Sequence, residues 1–570
     1  MKGLIDGEQR LPQRRAWKSD LILGAFAVVL VLNLLYHGNP LKSALEDEPK
    51  IFTCHAPQPH LLNKHEIDRT VFDSDIKWAK KLLKGVVKGD NGYGDPADSV
   101  TLSIFLPQGE PIVEIGFGKV RANESESRVP DGDSIYRMAS ISKMFTTAEI
   151  MLLKQQGHLD LDQDVSTILS DFKPSTAGWT GYEEQRIVTV RQLLSHTSGI
   201  LRDPMYETVW PPIPGADDNS TKPEPLNTRA DMMAKLHNIP PVMPGFGIPV
   251  YSNIGFSVAG FVAQEIGQTK YEELLDRDIF KPLGMESASF KRQPNLLDHV
   301  IVPSEPLSIW ADTEMGDSNP AGGLYCSAAD LRRFGQDLLG FGKSANARTD
   351  SQQPIFTKLT TREWLRPVHV FDDNLVSIGL NWEIYTVPVG ARRMSIYSKG
   401  GTLPGFHTLF GIDPEREFGY ALLISGEPSS NTDLAIRIMR RFAKTLDKAR
   451  QKILSKEFAG VYIHDADNMI KLDVVDGGMA VTKAVIEGRD LFEELHLGQG
   501  EGDYAALWPT GEETAWRVAI GRPPAHPYQG CMFKFASIDP AFAKGFPVDL
   551  MIIDSGKLVY PSVNRTFFRQ

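Results

Sequence analysis

Several features that define other protein classes are scarce or absent in this 570-residue chain. It has only three cysteines, so at most one internal disulfide can form and disulfides are not the framework of the fold. Metal-ligand spacings such as H-E-x-x-H or paired C-x-x-C do not occur, so we expect neither a metal nor a cofactor. The formal net charge is −11 and no dense Lys/Arg run lies outside the N-terminal tail, which excludes nucleic acid as a partner.

Internal repeats and low-complexity tracts are also absent, which excludes solenoid and array architectures. The composition is that of an ordinary globular protein, with 42% apolar and 23% charged residues. The chain is longer than one hydrophobic core usually organises, so we expect two or three folded units.

An apolar run, LILGAFAVVLVLNLLY, begins at Leu21 and is interrupted only by Asn33. Basic residues precede it and an acidic stretch follows it, so the positive-inside rule keeps the N-terminus in the cytoplasm. We therefore expect a cytoplasmic tail over 1–20, a transmembrane signal anchor over 21–37 and a proline-containing stalk over 38–60. A cleaved signal peptide and a buried core helix are the alternatives.

These assignments predict a single-pass membrane protein whose catalytic domain is lumenal or extracellular, or a secreted protein if the segment is cleaved. Three N-x-[ST] sequons follow the segment and mark candidate glycosylation sites at Asn123, Asn219 and Asn564. Among the cysteines, we expect Cys54 to pair with Cys531 and Cys326 to be a small buried residue.

Short β-like runs and helical segments alternate through the central part of the chain. The patterns predict a hairpin over 100–117, three later strands over 393–398, 408–412 and 420–425, and an amphipathic helix over 433–448. From about residue 456 only short β-like segments follow, separated by turn signals. We therefore predict an α/β protein of the α+β type. An antiparallel sheet flanked by helices, with a helical subdomain, would form the catalytic domain over 61–450, and a separate β-rich domain would occupy 455–570.

Ser140 and Lys143 form an S-x-x-K pattern, in which the hydroxyl and the amine share one face of a helix. A serine hydroxyl is a poor nucleophile until a base takes its proton, and an amine can do so when its environment keeps it partly neutral. The same pattern occurs at Ser74-Asp-Ile-Lys77 and Ser170-Asp-Phe-Lys173, which we interpret as surface residues. Ser140 differs because it follows a strand-like segment and opens an apolar helix, where backbone N–H groups favour negative charge.

Two further motifs lie downstream. Tyr251-Ser-Asn253 is the only Y-x-N in the chain, and alone it would be a turn tyrosine. Lys399-Gly-Gly401 ends a strand-like segment and is followed by Thr402, and alone it would be a glycine turn. The three motifs together, in this order, are far less expected by chance than any one of them alone.

This set of motifs resembles the serine β-lactamase and penicillin-binding-protein superfamily. The resemblance is to its class C-like branch, which includes esterases, D-aminopeptidases and acyltransferases. Supporting stretches are Gly157-His-Leu-Asp-Leu-Asp162, Leu193-Leu-Ser-His-Thr-Ser-Gly199, Lys281-Pro-Leu-Gly-Met285 and Ala321-Gly-Gly-Leu-Tyr325. The resemblance covers about residues 65–445, and the tail from about 455 is similar to the β-rich C-terminal domain of filamentous-fungal members.

The resemblance implies a role for each residue of the first two motifs. Ser140 would be acylated, and Lys143 would accept or relay its proton. Tyr251 would act as a phenolate or proton relay. Asn253 would hydrogen-bond the substrate amide or the lysine.

The third motif would complete the site. Lys399 would keep the tyrosine basic and bind a substrate carboxylate or carbonyl. The backbone N–H groups of Ser140 and Thr402 would form the oxyanion hole beside Gly401. Gly400 stands where β-lactamases often have threonine, which favours an esterase or amidase over an antibiotic hydrolase.

Other residues near the motifs are expected to have structural or pocket-lining roles. His196 is expected to be structural, and His407 either lines the pocket or packs. Residues 203–225 form a proline-rich loop. Aromatic residues in or beyond it, which suggest an apolar or aromatic substrate portion, are Tyr206, Trp210 and Phe246.

Three functions remain open from the sequence alone. The first is a serine hydrolase that cleaves an ester or amide of a small-molecule or peptide acyl substrate through acyl-Ser140. The second is an acyltransferase that passes the acyl group to a small metabolite. The third is a non-catalytic binding or scaffold protein, which the filled reactive positions disfavour.

Overall fold

A computed structural model describes most of the chain beyond the predicted anchor. The described residues are 55–62, 65–90, 94–175, 187–203, 228–340, 354–428, 431–494, 504–511, 514–519, 542–554 and 556–570. They belong to one compact unit, Ile51–Gln570. Within them, no helix is both long and apolar enough to cross a membrane. Several predictions fall outside the described residues. They concern residues 1–37, most of 38–60 and most of 203–225. They also concern five single residues: Cys54, Tyr206, Trp210, Asn219 and Cys531.

The helices of the described residues concentrate between the second and fourth strands. Their bounds are α1 Asp73–Lys88, α2 Ser142–Gln155, α3 Val190–Leu194, α4 Arg229–Asn238, α5 Asn253–Gly267, α6 Tyr271–Leu275, α7 Lys281–Leu283, α8 Asn319–Gly322, α9 Ala328–Leu339, α10 Lys358–Trp364, α11 Asn431–Glu457 and α12 Leu491–Glu494.

Among the described residues, ten strands precede the C-terminal region. Their bounds are β1 Gly94–Phe105, β2 Val113–Gly118, β3 Ile135–Arg137, β4 Tyr325–Ser327, β5 His369–Val370, β6 Val376–Ile378, β7 Glu383–Val389, β8 Arg392–Leu403, β9 Phe406–Asp413 and β10 Phe418–Pro428. Eight of them form an antiparallel sheet in the order β2-β1-β10-β9-β8-β7-β6-β5, and β3 pairs with β4. The predicted hairpin and the three later strands are confirmed, and the strand that carries the third motif continues through Thr402.

Both faces of this sheet are covered. In β10, Ala421 and Leu423 join a core with α2, α5 and α9, whereas Tyr420, Leu422 and Ile424 join a second core with α1 and α11. Side chains of a strand alternate between the two faces, so near-continuous burial of β10 follows from having helices on both. The predicted antiparallel sheet with flanking helices and a helical subdomain is confirmed.

The C-terminal domain is also confirmed as a separate β structure. Its strands are β11 Gly460–Asp465, β12 Asn468–Val475, β13 Gly478–Ile486, β14 Arg489–Asp490, β15 Ala505–Pro509, β16 Ala515–Ala519, β17 Phe542–Ala543, β18 Phe546–Pro547, β19 Leu550–Asp554, β20 Lys557–Tyr560 and β21 Arg565–Arg569. Eight of these form the series β12-β11-β21-β20-β19-β16-β15-β13, and pairing of β12 with β13 closes it into a barrel. Closure removes the exposed sheet edges.

Helix α11 joins the barrel to the body. Leu434, Ile438, Phe442 and Leu446 follow one another at four-residue steps and are all buried, which gives the helix one apolar face. The hydrophobic core beneath α11 continues without a break into barrel residues such as Tyr462. The barrel therefore packs on the body through this helix.

The predicted stalk of residues 38–60 requires a correction where the structure describes it. Residues 55–62, here called the N-terminal strap, are mostly buried. Four charged side chains bind its main chain: Arg392 donates to the carbonyl of Ala56, Arg450 donates to that of Pro59, Glu415 accepts from the amide of Gln58, and Glu417 accepts from the amides of Leu61 and Leu62. Proline and charge indicate a solvated linker from composition alone, whereas here distant charged groups satisfy the buried backbone.

Candidate active site

Ser140 lies on a short turn, Ala139–Ile141, between β3 and α2. Ala139, the residue before it, has a φ of +47°, which is sterically unfavourable for a residue with a Cβ. Such strain persists only where surrounding contacts hold the backbone, and it occurs preferentially at functional sites. The turn presents a half-buried Ser140 at the N-terminus of α2, as the sequence predicts.

Ser142 supplies one of those contacts. Its buried Oγ donates to the Ala139 carbonyl at 2.6 Å and accepts from the Leu324 amide at 3.0 Å. The hydroxyl therefore ties the strained turn to the segment that leads into β4. This serine sits inside the S-x-x-K motif, but the pattern alone assigns it no role.

Lys143 lies one helical turn after the candidate nucleophile and is fully buried. Its Nζ donates to Ser140 Oγ at 3.0 Å and to the carbonyl of Ala321 at 2.6 Å. Burial lowers the pKa of Lys143, and the positive charge of Lys399 lowers it further, against the opposing influence of Tyr251. The amine is thus poised to lose a proton more readily than an exposed lysine.

Tyr251 lies next to both residues. Burial acts to raise its pKa, but the charges of Lys143 and Lys399 and a hydrogen bond with Ser140 prevail and lower the pKa to about 8. The two ammonium groups lie 5.0 Å and 5.1 Å from the centre of the tyrosine ring. A phenol with this pKa is partly ionised near neutral pH and can accept a proton.

His196 holds the tyrosine rather than acting as a base. Its ring stacks on that of Tyr251 with centroids 4.4 Å apart, and its Nδ1 accepts from the Ser252 amide at 3.1 Å. Burial, reinforced by Lys143 and Lys399, holds the pKa of His196 well below its usual range. A neutral, buried ring fits the structural role expected for it.

Lys399 is almost fully buried and has a carboxylate partner that the motifs do not reveal. Its Nζ donates to Glu383 Oε1 at 2.7 Å, and Glu383 Oε2 also accepts from the Gly400 amide at 3.1 Å. Burial acts to lower the pKa of Lys399, but Glu383 and Tyr251 together raise it. Glu383 begins the neighbouring strand β7 and belongs to no recognisable pattern, so only the pairing of β7 with β8 locates it.

Gly401 allows β8 to pass directly against the turn Ala139–Ile141, which carries the candidate nucleophile Ser140 and is here called the nucleophile turn. A Cβ at this position would lie 2.2 Å from the Met138 carbonyl oxygen and 2.9 Å from the Ser140 amide nitrogen. Thr408, opposite Gly401 on β9, donates to the same Met138 carbonyl at 2.8 Å. The backbone around Gly401 and exposed Thr402 therefore lies beside the Ser140 amide, which is the arrangement expected for the predicted oxyanion hole.

The structure narrows the roles that the sequence left open for two other candidates. Asn253 begins α5, and its side-chain amide donates to Asp203 Oδ1 at 2.6 Å, so Asp203 and not Lys143 is its partner. His407 faces away from the nucleophile turn because its neighbour Thr408 faces toward it. Its Nε2 lies 3.4 Å from Glu427 Oε2, so His407 packs and does not line the site.

The remaining predicted positions can be placed briefly. The serines and lysines of the rival S-x-x-K patterns are all exposed: Ser74, Lys77, Ser170 and Lys173. Cys326 is buried and free, as expected. Phe246 is exposed on the segment that leads to Tyr251, and its φ of +58° is again strained.

Comparison with known proteins identifies the family of the chain. The beta-lactamase family model matches residues 104–443, which is more than half of the chain. A beta-lactamase-like protein of Strobilurus tenacellus, str6, is 28% identical over 312 residues, covering 53% of this chain and 98% of that protein. A probable hydrolase of Phoma sp., M10, is 22% identical over 487 residues, covering 76% of this chain and 77% of that protein.

Among solved structures, the octameric penicillin-binding protein homologue from Pyrococcus abyssi matches with a TM-score of 0.50 and 18% identity, covering 88% of this chain and 99% of that chain. This likeness concerns the fold. The family match covers the turn of Ser140 and all three motifs, and the chain therefore belongs to the beta-lactamase family.

Proposed function

We propose that this protein is a serine hydrolase that cleaves an ester or amide through a covalent acyl-Ser140 intermediate. The observation that carries the proposal is the 3.0 Å hydrogen bond from Lys143 Nζ to Ser140 Oγ inside a buried, cation-rich site. The membership of the family and the relative described as a probable hydrolase support it.

Acylation begins with attack of Ser140 Oγ on the substrate carbonyl carbon. The hydroxyl proton passes to Lys143 or to the Tyr251 phenolate, whose pKa of about 8 suits proton transfer near neutral pH. Collapse of the tetrahedral intermediate breaks the bond to the leaving alcohol or amine, which takes up that proton. Water then attacks the acyl ester, Ser140 regains a proton, and the free acid departs.

Negative charge that develops on the carbonyl oxygen needs preorganised donors. We assign this task to the amides of Ser140 and Thr402, because the absence of a side chain at Gly401 brings β8 against the nucleophile turn. The charge of Lys399 acts on Tyr251, from whose ring centre its Nζ lies 5.1 Å away.

A fluorophosphonate probe tests the nucleophile directly. We expect stoichiometric labelling of the wild type at Ser140, seen by intact-protein and peptide mass spectrometry, and none in Ser140→Ala. Ser74→Ala is the matched control, because Ser74 heads an exposed S-x-x-K pattern. Equal labelling of wild type and Ser140→Ala, or no labelling of either, would reject the proposal.

Product analysis tests the second step. With p-nitrophenyl esters and p-nitroanilides in water, we expect release of the free acid with Ser140-dependent kinetics. If the acyl group instead appears only on an added alcohol or amine, the enzyme is an acyltransferase and the hydrolase proposal fails.

We also propose that the catalytic domain is lumenal or extracellular and is tethered by the N-terminal apolar segment. Exposure of Asn123 and Asn564 in turns supports this location, because glycosylation requires accessible sequons. In a eukaryotic expression host, we expect a glycosidase to increase electrophoretic mobility, and Asn564→Gln to remove one step of that shift. Retention in the pellet after alkaline carbonate extraction tests the tether, and release into the supernatant would contradict it.

A further inference from the structure

Three cationic side chains surround the ring of Tyr251 in the described structure. The charged groups of Lys143, Lys399 and Arg202 lie 5.0, 5.1 and 5.2 Å from its centre. The two lysines are buried, whereas the side chain of Arg202 is 68% exposed. Only the arginine therefore faces the solvent from which a substrate arrives.

Most donors of the two lysines are already engaged. An ammonium group has three N–H donors. Lys143 donates to Ser140 and to the Ala321 carbonyl, and Lys399 donates to Glu383 and to the Gly400 carbonyl. Both ammonium groups are also attracted by Tyr251. The family resemblance implies that Lys399 binds a substrate carboxylate or carbonyl, and in this structure its Nζ already donates to the carboxylate of Glu383.

Arg202 retains donors that are free for a ligand. Its Nε lies 3.3 Å from Asp203 Oδ2, and no other ion pair or hydrogen bond from its guanidinium occurs among the described residues. Asp203 is itself shared, because it accepts from the Asn253 amide group at 2.6 Å. The terminal nitrogens of the guanidinium, with four N–H donors, thus remain available.

The backbone of Arg202 is held next to the site. Its carbonyl accepts from the Asn253 amide nitrogen at 2.7 Å, at the start of α5 and two residues after Tyr251. A guanidinium fixed at its base and open at its tip matches the planar, two-oxygen geometry of a carboxylate.

We propose that Arg202 binds a carboxylate of the substrate, so that the preferred substrates are esters or amides that carry an anionic group close to the scissile bond. This inference rests on the proposed function and names its substrate class. Arg202 acts as a specificity-determining residue, while the two buried lysines serve the reacting atoms. A bidentate, charge-assisted contact of this kind is worth about 1.5–3 kcal/mol, which corresponds to about 10- to 150-fold in kcat/KM.

Two substrates that differ only in charge provide the test. We would compare the p-nitrophenyl half-ester of glutaric acid with its methyl-capped diester, in wild type, Arg202→Met and Arg202→Glu. We expect the wild type to favour the anionic ester by about 10-fold or more, the Met variant to bring the ratio near one, and the Glu variant to invert it. The wild-type preference should also weaken as salt is raised, because the contact is partly exposed.

Arg229→Met is the matched control. Arg229 also lies over an aromatic ring, 5.1 Å from the centre of Phe261, and pairs with an aspartate, but it lies outside the site. This variant should keep the wild-type ratio. A wild type without preference, or an Arg202→Met variant that loses activity equally on both substrates, would overturn the inference.

A binding measurement separates this inference from the proposed function. Monomethyl glutarate titrated calorimetrically into Ser140→Ala should bind at least about 10-fold more tightly than into Ser140→Ala/Arg202→Met, whether or not the protein hydrolyses esters. Absence of phosphonate labelling together with this difference would reject only the hydrolase. Labelling at Ser140 without this difference would reject only the carboxylate site.

Discussion

Lys399, which is almost fully buried, forms an ion pair with the partly exposed Glu383 of the adjacent strand, with Nζ 2.7 Å from Oε1. The lysine belongs to a recognisable motif and the glutamate does not. Because the charge of Lys399 is one of the causes that lower the Tyr251 pKa, Glu383 acts on the reacting groups through the lysine.

Replacing the carboxylate tests this relationship. Glu383 raises the pKa of Lys399, so Glu383→Gln should lower that pKa and move the alkaline limb of the kcat/KM profile to lower pH. The free energy of unfolding should fall by about 1–3 kcal/mol, since a buried charge loses its partner. Glu363→Gln is a fitting control, because Glu363 is similarly exposed and pairs with Lys154 away from the site. An alkaline limb that does not move would show that Glu383 has no such role.

Removing Lys399 should shift the acid limb of the pH profile of kcat/KM. The Tyr251 pKa of about 8 depends in part on Lys399, so Lys399→Met should raise it and move the acid limb of kcat/KM upward. Tyrosinate absorbance during a pH titration, with Tyr251→Phe as the blank, would report the same shift. Lys154→Met should leave both measurements as in wild type. A lower or unchanged Tyr251 pKa in Lys399→Met would contradict the assignment.

Adjacent glycines should differ sharply in their tolerance of alanine. A Cβ at Gly401 would meet the Met138 carbonyl oxygen at 2.2 Å, whereas at Gly400 its nearest contact would be Glu383 Oε2 at 3.6 Å. Gly401→Ala should therefore push β8 away from the nucleophile turn and lower kcat by about 10²–10³-fold, as loss of an oxyanion donor does. Gly400→Ala should retain most of its activity. Phosphonate labelling rates give a second readout, and equal losses in the two variants would argue against the close approach.

The N-terminal strap should depend on Arg450. This buried arginine donates to the Pro59 carbonyl and to Glu417, and a buried charge pair that loses one partner costs about 3–5 kcal/mol. Arg450→Met should lower the melting temperature and open the strap to limited proteolysis. Arg292→Met, which removes a pair with the exposed Asp312, should change stability by at most about 1 kcal/mol. Equal effects of the two substitutions would mean that Arg450 does not fasten the strap.

Stability at low pH should report on Glu417, the carboxylate that pairs with Arg450 beneath the strap. Burial acts to raise the pKa of Glu417, but contacts with His60 and Arg450 hold it below its usual value. A carboxyl whose pKa is depressed by folding stabilises the protein above its unfolded pKa and loses that contribution as the pH falls through the folded value. Glu417→Gln should thus flatten the decline in melting temperature below about pH 4.5. An acid decline as steep as that of wild type would exclude this contribution.

The three motifs could be recognised from sequence because each depends on local spacing. Ser140 lies three residues before Lys143, on the turn that opens α2, so their contact follows from local geometry. Short β-like runs bounded by turn residues likewise predicted the hairpin and the later strands. The barrel was predicted as β-rich from turn signals, but its closure by β12 and β13 was not.

The sequence misled where partners are distant in the chain. Residues 55–60 looked like a linker, since no local pattern records that Arg392 and Arg450 satisfy their backbone. For His407 the sequence left two roles open, and strand alternation, which turns the ring toward Glu427, favours packing over lining the pocket.

Local order in the chain thus pointed to a candidate nucleophile, its neighbouring amine, a tyrosine and a second lysine. Tertiary structure decided their chemical state, because a pKa depends on burial and on charges brought close by folding. The pairing of β7 with β8 gives Lys399 its counter-ion, and the start of α5 leaves Arg202 open to solvent beside Tyr251. These contacts join residues far apart in the chain, and short-range patterns cannot encode them.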